Sequence, residues 1–375
     1  RWQIPVCFKS GGTPDQAGTC TLLTEPRQTV SVSASCTGWV FANAGAQGYY
    51  RTAHAPDVLR ALGPRVQDLL TAPERLTLID DEWTLVTTGR RSAVDFLTLA
   101  SAFSRESSSG VLHEVAGHLE ILRQHATTGG TLARFEAFAR SVLQPLVAEL
   151  GTSPASAEND DRRALRAVAV EALGTTGNDA DIVAMARTSL DRALAGGAPL
   201  DPTLADAVVS VAAEHGDARL YDALSRAAAR AASPDERQRY FFAAADFRDP
   251  ALIDRGLQRA LSGDVRSQDV ALYLAAFFAN PVARPRAWSL ITSRWDRVAP
   301  NLAVFNADVT LTTALGSFCD AGTRDNITAF FRAHPLPGAS RTLEQSIERI
   351  NLCIQIRDRQ TKNVGDWLAA ERPKP

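Results

Sequence analysis

Ser233-Pro234-Asp235-Glu236 reads as the start of a helix. The serine can cap free backbone N–H groups, and proline at the first helical position loses nothing by lacking its own. Two acids then sit at the positive end of the helix dipole. Asp201-Pro202, Asp249-Pro250 and Asn280-Pro281 repeat this cap-then-proline order. Ser92-Ala93-Val94-Asp95 resembles a capping box with a short acid in place of Glu. Gly151, Gly174, Gly196-Gly197 and Gly263 supply stop signals. Between these marks the apolar residues recur at helical spacing, as in Leu165, Val168, Ala169 and Ala172, or Leu272, Leu274, Phe277 and Phe278. The pattern predicts about sixteen helices joined by short loops. Such helices stack as pairs, each burying its face on its neighbours, as in a HEAT-like α-superhelix. No residue period is kept strictly, so an irregular array is expected.

The helical period begins near Ala55. Before it, Trp2-Gln3-Ile4-Pro5-Val6-Cys7-Phe8-Lys9 alternates apolar and polar positions and leads into the turn-rich Ser10-Gly11-Gly12-Thr13-Pro14-Asp15. Further short strands are predicted over Thr19–Thr24, Thr29–Ser33, Trp39–Ala42 and Tyr49–Ala53. The expected organisation is mainly α, with a small, incomplete β-sandwich over residues 1–54 and a helical domain over 55–375.

Composition narrows the function classes. The 375 residues carry 40 Lys+Arg against 42 Asp+Glu, a net charge of −2, which argues against a nucleic-acid binder. No apolar stretch has the roughly 18–20 residues that span a bilayer; Ala271–Ala279 stops at Asn280-Pro281. The chain opens on a strand-like segment without Met or a secretory signal, which suggests a mature or excised portion.

His113-Glu114-Val115-Ala116-Gly117-His118 comes close to the His-Glu-x-x-His of zinc peptidases. There, residues four apart share one helix face. Here the histidines are five apart, roughly 140° around the axis, too far to share one ion on a regular helix. Glu136 has the offset of a third ligand in one zincin class, but the plainer reading is an exposed polar helix face. No Gly-x-Ser-x-Gly elbow, thiol-enzyme pattern or phosphate-binding loop occurs. The chain by itself shows no catalytic constellation.

Of the five cysteines, Cys7, Cys20 and Cys36 lie in the β segment and Cys319 and Cys353 in the last helices. Cys7 with Cys20 across a hairpin, and Cys319 with Cys353 between neighbouring helices, are the candidate disulfides; the alternative is that each is a small buried apolar residue. Bridges would fit a periplasmic or secreted protein.

The run Trp39-Val40-Phe41-Ala42-Asn43-Ala44-Gly45-Ala46-Gln47-Gly48-Tyr49-Tyr50-Arg51 resembles the W-x-x-x-N-x-x-x-x-G-Y-Y-R signature of zinc aminopeptidases of the aminopeptidase N and endoplasmic-reticulum aminopeptidase family. Trp2-Gln3-Ile4-Pro5 is similar to that family's W-x-I-P strand, Leu78-Ile79-Asp80-Asp81 to its L-x-D-D helix, and Arg266-Ser267-Gln268-Asp269 to its R-x-Q-D helix start. The matches appear in family order.

The resemblance covers only the C-terminal part of that family. It implies a β-sandwich plus α-superhelix that encloses substrate for a zinc-dependent catalytic domain. The His-Glu-x-x-His helix and Gly-x-Met-Glu-Asn strand of that domain do not occur in this sequence. It implies no cofactor in this chain, zinc in the absent domain, the absent domains and a peptide as partners, and no activity of this portion alone. It also makes Arg266, with Gln268 and Asp269, the leading candidate to hold a peptide carboxylate, and Tyr50 and Arg51 candidates to border the chamber. The plainer readings are a cap-stabilising pair for Arg266 and Asp269 and a core role for Tyr50. The competing functions are a stand-alone α-solenoid scaffold for protein partners, and a self-sufficient zinc hydrolase using His113, Glu114 and His118.

Overall fold

A computed structural model of the chain describes residues 3–11, 18–31, 39–155 and 157–370. It divides into two compact units, Arg1–Gly177 with Arg359–Pro375, and Asn178–Asp358. The fold is mainly α with a small antiparallel sheet.

In the first unit, β1 (Ile4–Lys9), β2 (Thr19–Leu23) and β3 (Phe41–Ala42) form a sheet in the order β2-β1-β3. Cys7 lies opposite Cys20, and Phe8 and Lys9 lie opposite Ala42 and Phe41. Among the described residues two expected strands do not form: residues 29–31 are irregular, and Tyr49–Ala53 is bend and coil. Residues 32–33, Trp2 and Cys36 lie outside the described residues. Two features shape this end of the sheet. Asn43 adopts φ 91°, which ends β3 at Ala42. The Thr52 N–H and hydroxyl donate to the Asp81 carboxylate at 2.9 and 2.5 Å, so this segment is tied to a helix and not to a strand.

The helices of this unit are α1 (Pro56–Leu62), α2 (Val66–Leu69), α3 (Ala72–Thr87), α4 (Ala93–Ala100), α5 (Ser109–His125), α6 (Leu132–Leu150) and α7 (Asp160–Gly174). α3 packs on α4 and α5, and α7 on α5 and α6. Leu78, Ile79, Leu112, Val115 and Leu119 are fully buried there. Thr71 and Glu74 form a full capping box at the start of α3. Ser92 caps α4 by accepting from the Val94 N–H only, so the expected box there is half made.

The second unit contains α8 (Ala180–Leu194), α9 (Ala205–Glu214), α10 (Ala218–Arg230), α11 (Pro234–Phe242), α12 (Pro250–Arg259), α13 (Val270–Ala279), α14 (Arg284–Ser293), α15 (Trp295–Val298), α16 (Ala307–Ala314) and α17 (Ala321–Ala333). The last helix, α18 (Ser340–Ala370), contributes to both units. α2 and α15 are single turns of four residues, which leaves sixteen longer helices among the described residues.

Ser233 caps α11 through the Glu236 N–H at 3.1 Å, and Asp249 caps α12 through the N–H groups of Ala251 and Leu252. Asp201-Pro202 and Asn280-Pro281 instead cap single turns, with α9 and α14 starting at Ala205 and Arg284. Gly151, Gly196 and Gly263 take positive φ as stop residues should, whereas Gly174 stays helical.

Within this unit helices contact their neighbours one and two along, α8 with α9 and α10, α11 with α9 and α10, and α14 with α12 and α13. Ion pairs mark the same stacking. Asp206–Arg239 and Asp222–Arg255 are separated by 33 residues, Asp254–Arg286 by 32 and Glu214–Arg248 by 34. Equivalent positions of successive helix pairs thus recur at about one-third of a hundred residues, a spacing the hydrophobic pattern alone does not display. Each exposed pair adds little stability. The apolar contacts dominate: Tyr273, Leu274, Phe277 and Phe278 are fully buried, and a Cβ on Gly256 would stand 2.9 Å from the Phe277 ring. No helix of the described residues is long and apolar enough to cross a membrane.

Candidate functional site

Arg266, Gln268 and Asp269 lie together in the second unit. Residues of the 264–269 turn and of α11 along its length line a cleft of about 410 Å³. Arg266 and Gln268 are exposed, Asp269 is half-buried, and Phe241 is buried beneath them. The turn is closed by its backbone, with the Asp269 N–H donating to the Arg266 carbonyl at 2.8 Å. No side-chain cap bond forms at either Arg266 or Asp269. The expected cap-stabilising pair is therefore not made among the described residues, and the Arg266 guanidinium is free to take a ligand.

The cleft also holds Arg237, Gln238, Phe242 and Asp264, which the sequence reading did not select. Arg237 was detectable in principle, because it follows the Ser233-Pro234-Asp235-Glu236 start by one position and so lies in the first turn of α11. Nothing local says that residues 264–269 face it. Two guanidiniums, two carboxylates and two carboxamides over an aromatic floor can pair with a peptide's carboxylate, N–H and C=O groups.

Tyr50 and Arg51 belong to the first unit. Asn43, the asparagine of the long signature, donates from Nδ2 to the Gly48 carbonyl at 3.2 Å and accepts the Gly48 N–H on Oδ1 at 2.7 Å. This closes residues 43–48 into a tight loop. Gly45 in that loop donates to Glu74 Oε1 at 2.8 Å, and Lys9 Nζ reaches Glu74 Oε2 at 2.9 Å. Arg51 is ion-paired with Asp80 and with Asp81. Next to them, Arg91 Nε lies 2.7 Å from Glu82 Oε2, and His54 stacks on Phe41 at 5.4 Å between centroids. Burial lowers the His54 pKa and raises that of Glu82, the latter against the opposing pull of Arg91. The signature and the Leu78-Ile79-Asp80-Asp81 helix therefore dock on each other. Tyr50 is half-buried, and burial raises its pKa.

The near-miss zinc motif does not assemble. His113 is exposed, whereas His118 is buried, its ring stacked on Trp83 at 4.3 Å and edge-on to Phe96 at 5.5 Å. Desolvation brings the His118 pKa down to about 4. Its Nε2 is 3.8 Å from Glu114, and Glu136 faces Arg123 at 4.0 Å. The two imidazoles and Glu136 do not converge, so these residues do not fit a zinc ion. The expectation of a polar, exposed face is corrected for His118, which the wide α5 core face takes in. Elsewhere, disulfides join Cys7 to Cys20 and Cys319 to Cys353.

A family model described as the ERAP1-like C-terminal domain matches residues 39–352. Aminopeptidase 2 of Candida albicans is 23% identical over 337 residues, covering 88% of this chain and 36% of that protein. Aminopeptidase 2, mitochondrial, of Saccharomyces cerevisiae is 24% identical over 333 residues, 87% of this chain and 35% of that protein. Aminopeptidase M1 of Arabidopsis thaliana is 25% identical over 330 residues, with shares of 86% and 37%. The chain spans about a third of the length of these curated relatives.

Proposed function

The chain belongs to the ERAP1-like C-terminal domain family, and on that premise we propose that it is the substrate-enclosing, regulatory C-terminal portion of a zinc-dependent aminopeptidase that removes N-terminal residues from peptides. The observation that carries this reading is the match to the family over residues 39–352, with named aminopeptidases as relatives along most of the chain. Its partners are then the other domains of the same protein and a peptide. Zinc and the bond-breaking groups are assigned to the catalytic domain, because the only zinc-like motif here has a buried and an exposed histidine that do not meet.

In this proposal the second unit holds the far end of the peptide. A free C-terminal carboxylate pairs with the Arg266 guanidinium, for which a bidentate geometry is available, and Arg237 adds a second donor. Gln238, Gln268 and Asp269 take the neighbouring peptide groups. Tyr50 and Arg51 are assigned to the wall of the chamber, with Arg51 held by its two aspartates. Two disulfides support an oxidising, periplasmic or secreted location.

The test is turnover of amino-acid anilides by the purified chain with zinc added. No turnover is expected. Turnover that a chelator abolishes would overturn the assignment of chemistry to another domain.

A further inference from the structure

The second unit has another cleft, also of about 410 Å³, between α10, α12 and the turn after α12. Tyr221, Ser225, Arg255, Gln258, Arg259 and Asp264 line it. Tyr221 is only 3% exposed, and its O–H finds no acceptor among the described residues. Burial holds its phenol above the ordinary range, against the pull of the Arg259 and Arg255 charges and of an Arg259 N–H directed at the phenol oxygen. It is therefore an O–H donor, and guanidinium neighbours offer it no acceptor. Buried polar groups are normally satisfied, so an unmet one on a cleft wall points to a ligand that brings an acceptor.

The arginines add donors. Arg255 Cζ lies 4.5 Å from the centroid of the Tyr221 ring, and Arg259 Cζ 4.4 Å from that of Phe241. Each guanidinium thus sits over an aromatic face within cation–π distance. Arg259 Nη1 donates to Ser225 Oγ at 3.2 Å, and its Nε is 3.6 Å from Asp264 Oδ2. Arg255 Nη2 donates to Asp222 Oδ1 at 2.7 Å. Each guanidinium carries five N–H donors, so most remain unspent. Asp222 and Asp264 offset the two positive charges, so net charge does not choose the ligand. The excess of donors does.

We propose that this cleft binds a phosphoryl group, with the Tyr221 hydroxyl, Arg255 and Arg259 as its donors. Three donors, one from α10 and two from successive turns of α12, can reach several oxygens of a tetrahedral phosphoryl group, whereas a carboxylate offers two oxygens in one plane. The group can come from free phosphate or from a phosphorylated peptide. The proposal does not depend on the peptide-holding role of Arg266.

Calorimetric titration of the whole chain at fixed ionic strength tests it, using inorganic phosphate, a phosphoserine peptide and acetate. Saturable binding of phosphate or the phosphopeptide is expected, and whichever binds more tightly identifies the source. Tyr221→Phe, which removes one buried oxygen and keeps the ring, should weaken binding about tenfold, as should Arg255→Gln at the more exposed arginine. Arg266→Gln should leave it unchanged. Should Arg255→Gln fail to fold, Tyr221→Phe decides alone. Absence of saturable binding, acetate binding as tightly as phosphate, or full binding by Tyr221→Phe would overturn the proposal.

Discussion

Lys9 and Glu74 form an ion pair at 2.9 Å with their side chains only 1% and 2% exposed. The same carboxylate accepts from the Gly45 N–H and from the Thr71 N–H, both at 2.8 Å. One side chain on α3 thus ties together the end of β1, the 43–48 loop and its own helix start. A buried charge this well surrounded is stable only while its partners remain.

Glu74→Ala should cost about 3–5 kcal/mol, because it removes the carboxylate partner of the buried Lys9 ammonium and the acceptor of two backbone N–H groups. The double variant Lys9→Met, Glu74→Gln removes both charges and should lose less than Glu74→Ala alone. Urea unfolding of the three proteins measures this; a double variant as weak as the single would show that the charge pairing is not what matters.

Asn43 combines a left-handed backbone with two bonds to Gly48. Asn43→Ala loses both bonds and keeps the strain, for an expected loss of about 2–3 kcal/mol. Asn43→Gly removes the strain and should lie between Ala and the parent. Equal melting curves for Ala and Gly would rule out the backbone contribution.

His118 sets a pH dependence. Its folded pKa of about 4 lies below the ordinary imidazole value of 6.5. Between those values the unfolded chain binds more protons than the folded one, so stability falls as pH drops from about 6.5 to about 4 and levels off below. The full effect is about 3 kcal/mol. His118→Phe keeps an aromatic ring against Trp83 and should flatten this part of the profile, leaving the smaller contribution of His54, whose pKa is also lowered. Unfolding free energies at pH 4.5 and 7 for both proteins provide the check, and identical slopes would contradict it.

The helices were legible because capping and apolar period are local signals: Ser233 and Asp249 cap where their sequences say they should. The strands were less so. Tyr49–Ala53 has strand-like residues, but its hydrogen bonds go to Asp81 on α3, a partner 29 positions away that no local rule reveals. The Arg266 cleft shows the same division. Arg266, Gln268 and Asp269 are adjacent in sequence and could be named from it, whereas Arg237 and Phe241 join them only through packing of α11. Tyr221 gave no signal at all, since an unsatisfied hydroxyl is a property of its surroundings.

The central claim, that the Arg266 cleft holds the carboxyl end of a peptide, is tested most directly by comparing two labelled peptides of one sequence, one with a free C-terminus and one amidated. Fluorescence anisotropy with this chain should show the free acid binding about tenfold more tightly, the weight of one charge-assisted hydrogen bond. Arg266→Gln should erase the difference by weakening the acid alone. Equal affinity of the two peptides for the parent chain would contradict the claim.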